Sequence, residues 1–210
     1  MVELYLVTDE ALCLGRPLKE VVESAARGGV TMVQLREKDM KTRDFVHRAA
    51  EIKEILAPYG IPLIINDRID VALAVEADGV HIGQSDLPYR YVRKIVHDRM
   101  IVGLSVETVE QAVEAEAYDL DYLSLSPLFF TPTKTDLYRE WGIEGLEEIC
   151  RRSRHTVIAI GGINASNAAQ VIGAGADGVS VVSAICSAPD PERASRELIS
   201  IIREAKKQHT

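Results

Sequence analysis

Eight short apolar runs, each followed by a stretch with helical periodicity, constrain this chain more than any other feature. The runs cover 4–7, 32–35, 61–65, 79–82, 101–104, 122–125, 157–160 and 178–182. Most are near-continuous Val, Ile and Leu, as expected of strands buried on both faces. Between them, apolar residues recur at helical spacing. Leu18, Val21, Val22, Ala25 and Ala26 form one stripe, and Phe45, Ala49, Ile52 and Leu56 another. Val109, Ala112, Val113 and Ala117 form a third, and Ala194, Leu198, Ile201, Ile202 and Ala205 close the chain. Eight strand–helix units predict a closed parallel (β/α)8 barrel, a TIM barrel, rather than an open sheet. The 210 residues suit one such domain over 1–210, near the short end for the fold. Ala77-Asp78-Gly79-Val80 recurs as Ala176-Asp177-Gly178-Val179, half a barrel apart, an echo that fits two related halves.

The net charge of −8 argues against a general nucleic-acid or acidic-membrane binder. An anionic substrate must then be met by a local cluster of Lys and Arg. Cys13, Cys150 and Cys186 are far apart and form no C-x-x-C, so reduced thiols in a cytoplasmic protein are expected. No signal peptide is expected before the first strand, and no apolar run is long enough to span a membrane.

In such a barrel the residues just after each strand gather on one face, where ligands bind. After strand two comes Gln34-Leu35-Arg36-Glu37-Lys38, after strand three Asn66-Asp67-Arg68, and after strand four Gly83-Gln84-Ser85-Asp86. Strand five leads into Ser105, and strand six is followed by Thr131-Pro132-Thr133-Lys134. The irregular stretch 126–141 has the Ser, Thr, Pro and Lys content of a mobile active-site loop. Strand seven ends in Gly161-Gly162 and strand eight in Val182-Ser183-Ala184. Glycines there let backbone approach a ligand closely, and the segment after strand eight offers N–H groups to a phosphate. The alternative is that the glycines only make a tight turn; the two segments together favour phosphate binding.

Arg36, Lys38 and Lys134 supply a positive cluster on that face, which points to a second anionic group. Asp67 and Asp86, on neighbouring strand ends, could share Mg2+ with a diphosphate. Equally, Asp67 could pair with Arg68 or Arg36, and Asp86 could cap the helix beginning near Pro88. His81 lies within a strand, where it packs or hydrogen-bonds locally. No Ser-His-Asp spacing and no glycine-rich dinucleotide motif stands out.

Six segments then resemble one family in order along almost the whole chain. They are Tyr5-Leu6-Val7-Thr8-Asp9, Gln34-Leu35-Arg36-Glu37-Lys38, Ile65-Asn66-Asp67-Arg68, Gly79-Val80-His81-Ile82-Gly83-Gln84, Thr131-Pro132-Thr133-Lys134 and Ala159-Ile160-Gly161-Gly162-Ile163. The family is that of thiamine phosphate synthases. The resemblance implies a transferase that joins 4-amino-2-methyl-5-hydroxymethylpyrimidine diphosphate to 4-methyl-5-(2-phosphoethyl)thiazole, or its carboxylate. It implies that Gln34, Leu35, Arg36, Glu37, Lys38, Asn66, Ser105 and Lys134 hold the pyrimidine diphosphate. Thr131, Pro132, Thr133, Gly162, Val182 and Ser183 would hold the thiazole phosphate, and Asp67 and Asp86 would hold Mg2+. Arg36, Lys38 and Lys134 would carry the catalytic charge. The segment Ser124-Leu125-Ser126-Pro127-Leu128-Phe129-Phe130 departs from the family, which often has glycines in strand six.

Two rivals remain at this stage. A thiazole tautomerase of the same fold needs a proton-transferring group and lacks much of the diphosphate apparatus. A non-catalytic phosphate-binding barrel has no reason to keep the carboxylate pair and the cations together. The expected partners are small phosphorylated molecules. Small barrels of this kind often form homodimers, although no stripe here announces an interface.

Overall fold

The structure, a computed structural model, describes residues 2–130 and 140–208. Its strands are β1 Leu4–Val7, β2 Met32–Leu35, β3 Leu63–Asn66, β4 Gly79–Ile82, β5 Ile101–Val106, β6 Tyr122–Leu125, β7 Thr156–Ile160 and β8 Gly178–Val181. They close into a barrel in chain order, all parallel, with β8 against β1. The helices are α1 Leu18–Gly28, α2 Thr42–Leu56, α3 Ile69–Ala74, α4 Tyr89–Val96, α5 Val109–Ala115, α6 Gly142–Arg152, α7 Ala168–Gly173, α8 Ser183–Cys186 and α9 Pro191–Gln208. Two of the helices that cross between strands, α3 and α7, have only six residues each, which is how 210 residues complete the fold. Among the described residues, no helix is long and apolar enough to cross a membrane.

Successive side chains of a strand point to opposite faces, so each strand feeds two cores. The outward set, such as Leu6, Val33, Ile65 and Val80, packs under the helices. The inward set at the barrel's lower end, Tyr5, Met32, Ile64, Tyr122 and Ile158, fills the axis. Two helical stripes differ from expectation. In α5 the buried positions are Ala112 and Ala115, while Val113 is 54% exposed. In α9 Ser195 and Ile199 are buried. Ser195 turns its hydroxyl back to Pro191 O at 2.7 Å and packs where Gly28 lets α1 and α9 approach; a Cβ on Gly28 would fall 2.6 Å from that of Ser195.

The Ala-Asp-Gly-Val echo has a local cause. Asp78 and Asp177, just before β4 and β8, accept the N–H of Leu63 and of Val157 from the preceding strand, each at 2.8 Å. Their own N–H groups return to the carbonyls of the same residues. Asp121 does the same to Val102 before β6, and Thr31 Oγ1 accepts Leu4 N–H before β2. Every even strand therefore begins with an oxygen that satisfies a strand-end donor and fixes the register.

Replacing Asp177 by Ala should leave the Val157 N–H without its acceptor. We expect a loss of about 1 kcal/mol, the scale of one hydrogen bond, or roughly 2–4 °C in thermal unfolding. Combined with Asp78→Ala the losses should add, because the two sites share no partner. A double variant that melts with the wild type would show that these bonds do not set the register.

Candidate active site

The upper ends of the strands surround a cavity of about 630 Å³. Gln34, Arg36, Lys38, Asn66, Asp67, Asp86, Ser105, Gly162, Val182 and Ser183 all line it. Leu35 and Glu37 do not. Leu35 alternates outward and is wholly buried beneath the helices. Glu37 pairs with Arg48 of α2 at 2.8 Å, and Arg48 also holds Glu10 at 2.7 Å. Both therefore serve the wall of the barrel. Thr131, Pro132, Thr133 and Lys134 lie outside the described residues.

The floor of the cavity is polar and carries no carboxylate, lysine or arginine. Gln34 Nε2 donates to Tyr5 Oη at 2.7 Å, and the Tyr5 and Tyr122 hydroxyls lie 2.9 Å apart. Tyr122 Oη meets His81 Nδ1 at 2.9 Å, and His81 Nε2 meets Ser105 Oγ at 2.8 Å. His81 thus bonds to side chains of β5 and β6. Burial pushes the phenols of Tyr5 and Tyr122 well above their ordinary pKa, so both stay protonated. Strand-pattern reasoning missed Tyr5, His81 and Ser180 as lining residues. Their trace in the sequence is a lone polar side chain in an otherwise apolar strand, which does not by itself say which face it is on.

The rim is charged. Lys38 Nζ lies 2.6 Å from Asp67 Oδ2, while Arg68 pairs with Asp70 at 2.5 Å. Asp67 therefore pairs with neither Arg68 nor Arg36. Among the described residues Arg36 has no carboxylate partner. Asp86 accepts Gly83 N–H at 2.7 Å inside its own loop, and α4 has Pro88 at its N-cap and no side-chain cap. Burial, and then the adjacent Asp67 carboxyl, raise the Asp86 pKa above its ordinary value, against the pull of Gly83 N–H and Lys38. Asp67 itself has φ +61, a left-handed backbone that non-glycine residues seldom adopt outside functional or turn positions.

After β7, Gly161 and Gly162 have φ +110 and +66. A Cβ on either would fall 2.9 Å from Pro127 or Phe129, so the glycines also admit the chain that follows β6. After β8, Val182 leaves the strand and α8 begins, with first-turn N–H groups that a short helix cannot satisfy internally.

The family model for thiamine monophosphate synthase matches residues 4–185. The chain belongs to the thiamine monophosphate synthase family. It is 52% identical over 199 residues to a thiamine-phosphate synthase of Albidiferax ferrireducens, covering 95% of this chain and 91% of that one. A thiamine-phosphate synthase of Vibrio campbellii is 50% identical over 200 residues, covering 95% and 98%. The solved thiamine phosphate pyrophosphorylase of Pyrococcus furiosus superposes with a TM-score of 0.90 at 38% identity, covering 97% and 96%. Family membership makes the chain a transferase of thiamine biosynthesis.

The two rim carboxylates give a direct electrostatic test. Because the folded state raises the Asp86 pKa, its stability is fully present below the unfolded value, near pH 4, and falls as pH rises through the folded value. Asp86→Asn removes that ionisation and keeps an oxygen for Gly83 N–H. In metal-free buffer the variant should gain roughly half a kcal/mol at neutral pH, discounted for a partly exposed site, and nothing at pH 3. A stability difference that does not change between these pH values would contradict the upward shift that burial and the Asp67 carboxyl give Asp86.

Proposed function

We propose that the chain condenses 4-amino-2-methyl-5-hydroxymethylpyrimidine diphosphate with 4-methyl-5-(2-phosphoethyl)thiazole, or its carboxylate, to give thiamine phosphate and diphosphate. One observation carries this reading: a charged rim, where Arg36 has no carboxylate partner among the described residues, stands over a polar floor within one cavity. Such a cavity suits a flat heterocycle below and a diphosphate above. The family relationship supplies the reaction class, and the tautomerase and non-catalytic alternatives leave the rim cations and carboxylates without a purpose.

Gln34, Asn66 and Ser105 would meet the aminopyrimidine, and Arg36 and Lys38 its diphosphate, with Lys134 as a third cation. Gly162, Val182 and Ser183, with Thr131, Pro132 and Thr133, would hold the thiazole phosphate. Among the described residues the lining sets Arg36 and Lys38 against Asp9, Asp67, Asp86 and Glu107, so a polyanion needs further positive charge. No cluster of three or more His, Cys, Asp or Glu suited to a metal occurs among those residues. Two adjacent carboxylates nevertheless fit Mg2+, which commonly takes one or two carboxylates and completes its shell with substrate phosphates and water. Asp67 and Asp86 would hold the ion, which when bound supplies positive charge opposite the diphosphate oxygens.

The reaction proceeds by dissociative substitution at the pyrimidine methylene. The carbon–oxygen bond breaks with its electron pair leaving on diphosphate, and the ring amino group stabilises the resulting cation. The thiazole nitrogen then gives its lone pair to that carbon. A nitrogen lone pair needs no general base, so the side chains have two tasks. Arg36, Lys38 and Lys134 stabilise charge that grows on the leaving oxygens, and the floor and phosphate sites align the rings. The same reading places the enzyme in the cytoplasm, with Cys13, Cys150 and Cys186 as free thiols.

Diphosphate release from the two substrates should require Mg2+, vanish in EDTA and return when the ion is restored. Full turnover in EDTA would remove the metal from the proposal. Lys134→Ala should lower kcat by roughly two orders of magnitude, the scale of one lost charge-stabilising donor, and Lys134→Arg should restore part of it. Wild-type kcat in the alanine variant, folded by circular dichroism, would take Lys134 out of the mechanism.

A further inference from the structure

One buried hydroxyl stands apart from the bonded floor. Tyr5, Gln34, Tyr122, His81 and Ser105 satisfy one another in a single chain. Ser180 takes no part in it. Its Oγ is, among the described residues, the buried side-chain polar atom without a hydrogen-bond partner. The residue is 1% exposed and lines the cavity. Register pairs it with Tyr5 on β1 and Ile160 on β7, and neighbours in register on parallel strands share a face. Ser180 therefore faces the barrel axis. A buried polar group left unpaired is unfavourable, and in a folded protein it calls for an explanation. Alanine would fill the same space without that penalty.

We propose that Ser180 is a substrate-binding residue whose hydroxyl hydrogen-bonds the aminopyrimidine ring of the diphosphate substrate. The proposal rests on the reaction assigned above. The charged groups stand at the rim and the neutral ones below, so the diphosphate belongs at the rim with its ring pointing down. An aminopyrimidine carries two ring nitrogens that accept and an exocyclic amine that donates. A serine hydroxyl does both and can meet either kind of edge. The thiazole fits this position poorly, because its nitrogen must keep a free lone pair for attack. Its phosphate is also placed higher on the same strand end, at Val182 and Ser183. Ser180 would thus complete, from β8, a ring of contacts that Gln34, Asn66 and Ser105 make from β2, β3 and β5.

The test is steady-state kinetics with each substrate varied in turn, and thermal unfolding, on wild type and Ser180→Ala. We expect the KM for the pyrimidine diphosphate to rise about 3- to 10-fold, the effect of one neutral hydrogen bond. The KM for the thiazole phosphate should stay within about 2-fold, and the melting temperature of the free protein should hold or rise. Active Ser180→Ala with an unchanged pyrimidine KM would overturn the proposal. So would a lowered melting temperature with both KM values changed alike, because that is the signature of a structural serine. A wild-type protein that releases no diphosphate from the pair would instead overturn the reaction assignment, and is distinguishable because no variant is involved.

Discussion

A tyrosine ring laid across the barrel axis separates the plug of this protein from its cavity. Tyr122 occupies that place only because β5 carries glycine opposite it: a Cβ on Gly103 would fall 2.0 Å from Tyr122 Cζ. Below the ring, Met32, Ile64 and Ile158 close the axis with apolar packing. Above it, Gln34, Asn66, His81, Ser105, Ser124 and Ser180 line the cavity with polar side chains, beside the apolar Val7 and Ile160. The phenol meets Tyr5 edge-on, at 87°, and stacks on His81 at 18°, so it is held by ring contacts as well as by its hydroxyl. Starting at Gln34, the donors can run one way. The amide donates to Tyr5, Tyr5 to Tyr122 and Tyr122 to His81 Nδ1, leaving Nε2–H for Ser105. The Ser105 proton is then directed into the cavity, and the floor offers a substrate a defined pattern rather than a set of free rotors.

Much of this was legible in the sequence, because parallel strands buried on both faces write themselves as apolar runs and strand ends mark the ligand face. Asp67, Asp86, Arg36 and Lys38 come together in the structure as strand-end reasoning placed them. Leu35 and Glu37 came along only because a contiguous motif was carried over whole. A strand alternates, and neighbours in a motif face opposite ways. Tyr5, His81 and Ser180 were illegible for a related reason. When both faces of a strand are apolar, one polar residue does not say which face it is on, and only the register with the next strand decides. The α5 stripe slipped in phase because short helices carry too few turns to fix a period.

The duplicated Ala-Asp-Gly-Val segments were visible, but their meaning was not. They read as a trace of two related halves. The structure gives them a physical role shared with Asp121 and Thr31, which carry no such motif. Each even strand needs an oxygen at its start, because the odd strand before it starts with a donor that this oxygen pairs. A recurring need can place the same residues in two units whether or not the units share an origin.

Floor and rim meet at His81. Its ring nitrogens join Tyr122 and Ser105, while its carbonyl accepts the Asp67 N–H at 2.9 Å. That last bond helps hold Asp67 in its left-handed conformation, with φ +61, in which its carboxyl lies beside Asp86 and within 2.6 Å of Lys38. The two carboxylates repel, and Asp67 is strained, so neither arrangement favours the free protein. Asp67 is held by a strand whose other attachments lie in the barrel interior, and Asp86 by Gly83, the residue that follows that strand. The position of the rim charges is therefore tied to the order of the floor. A substrate ring that paired with the floor as proposed would bear on the same β4 residue that holds Asp67, so recognition of the heterocycle and neutralisation of its diphosphate would become one packing problem.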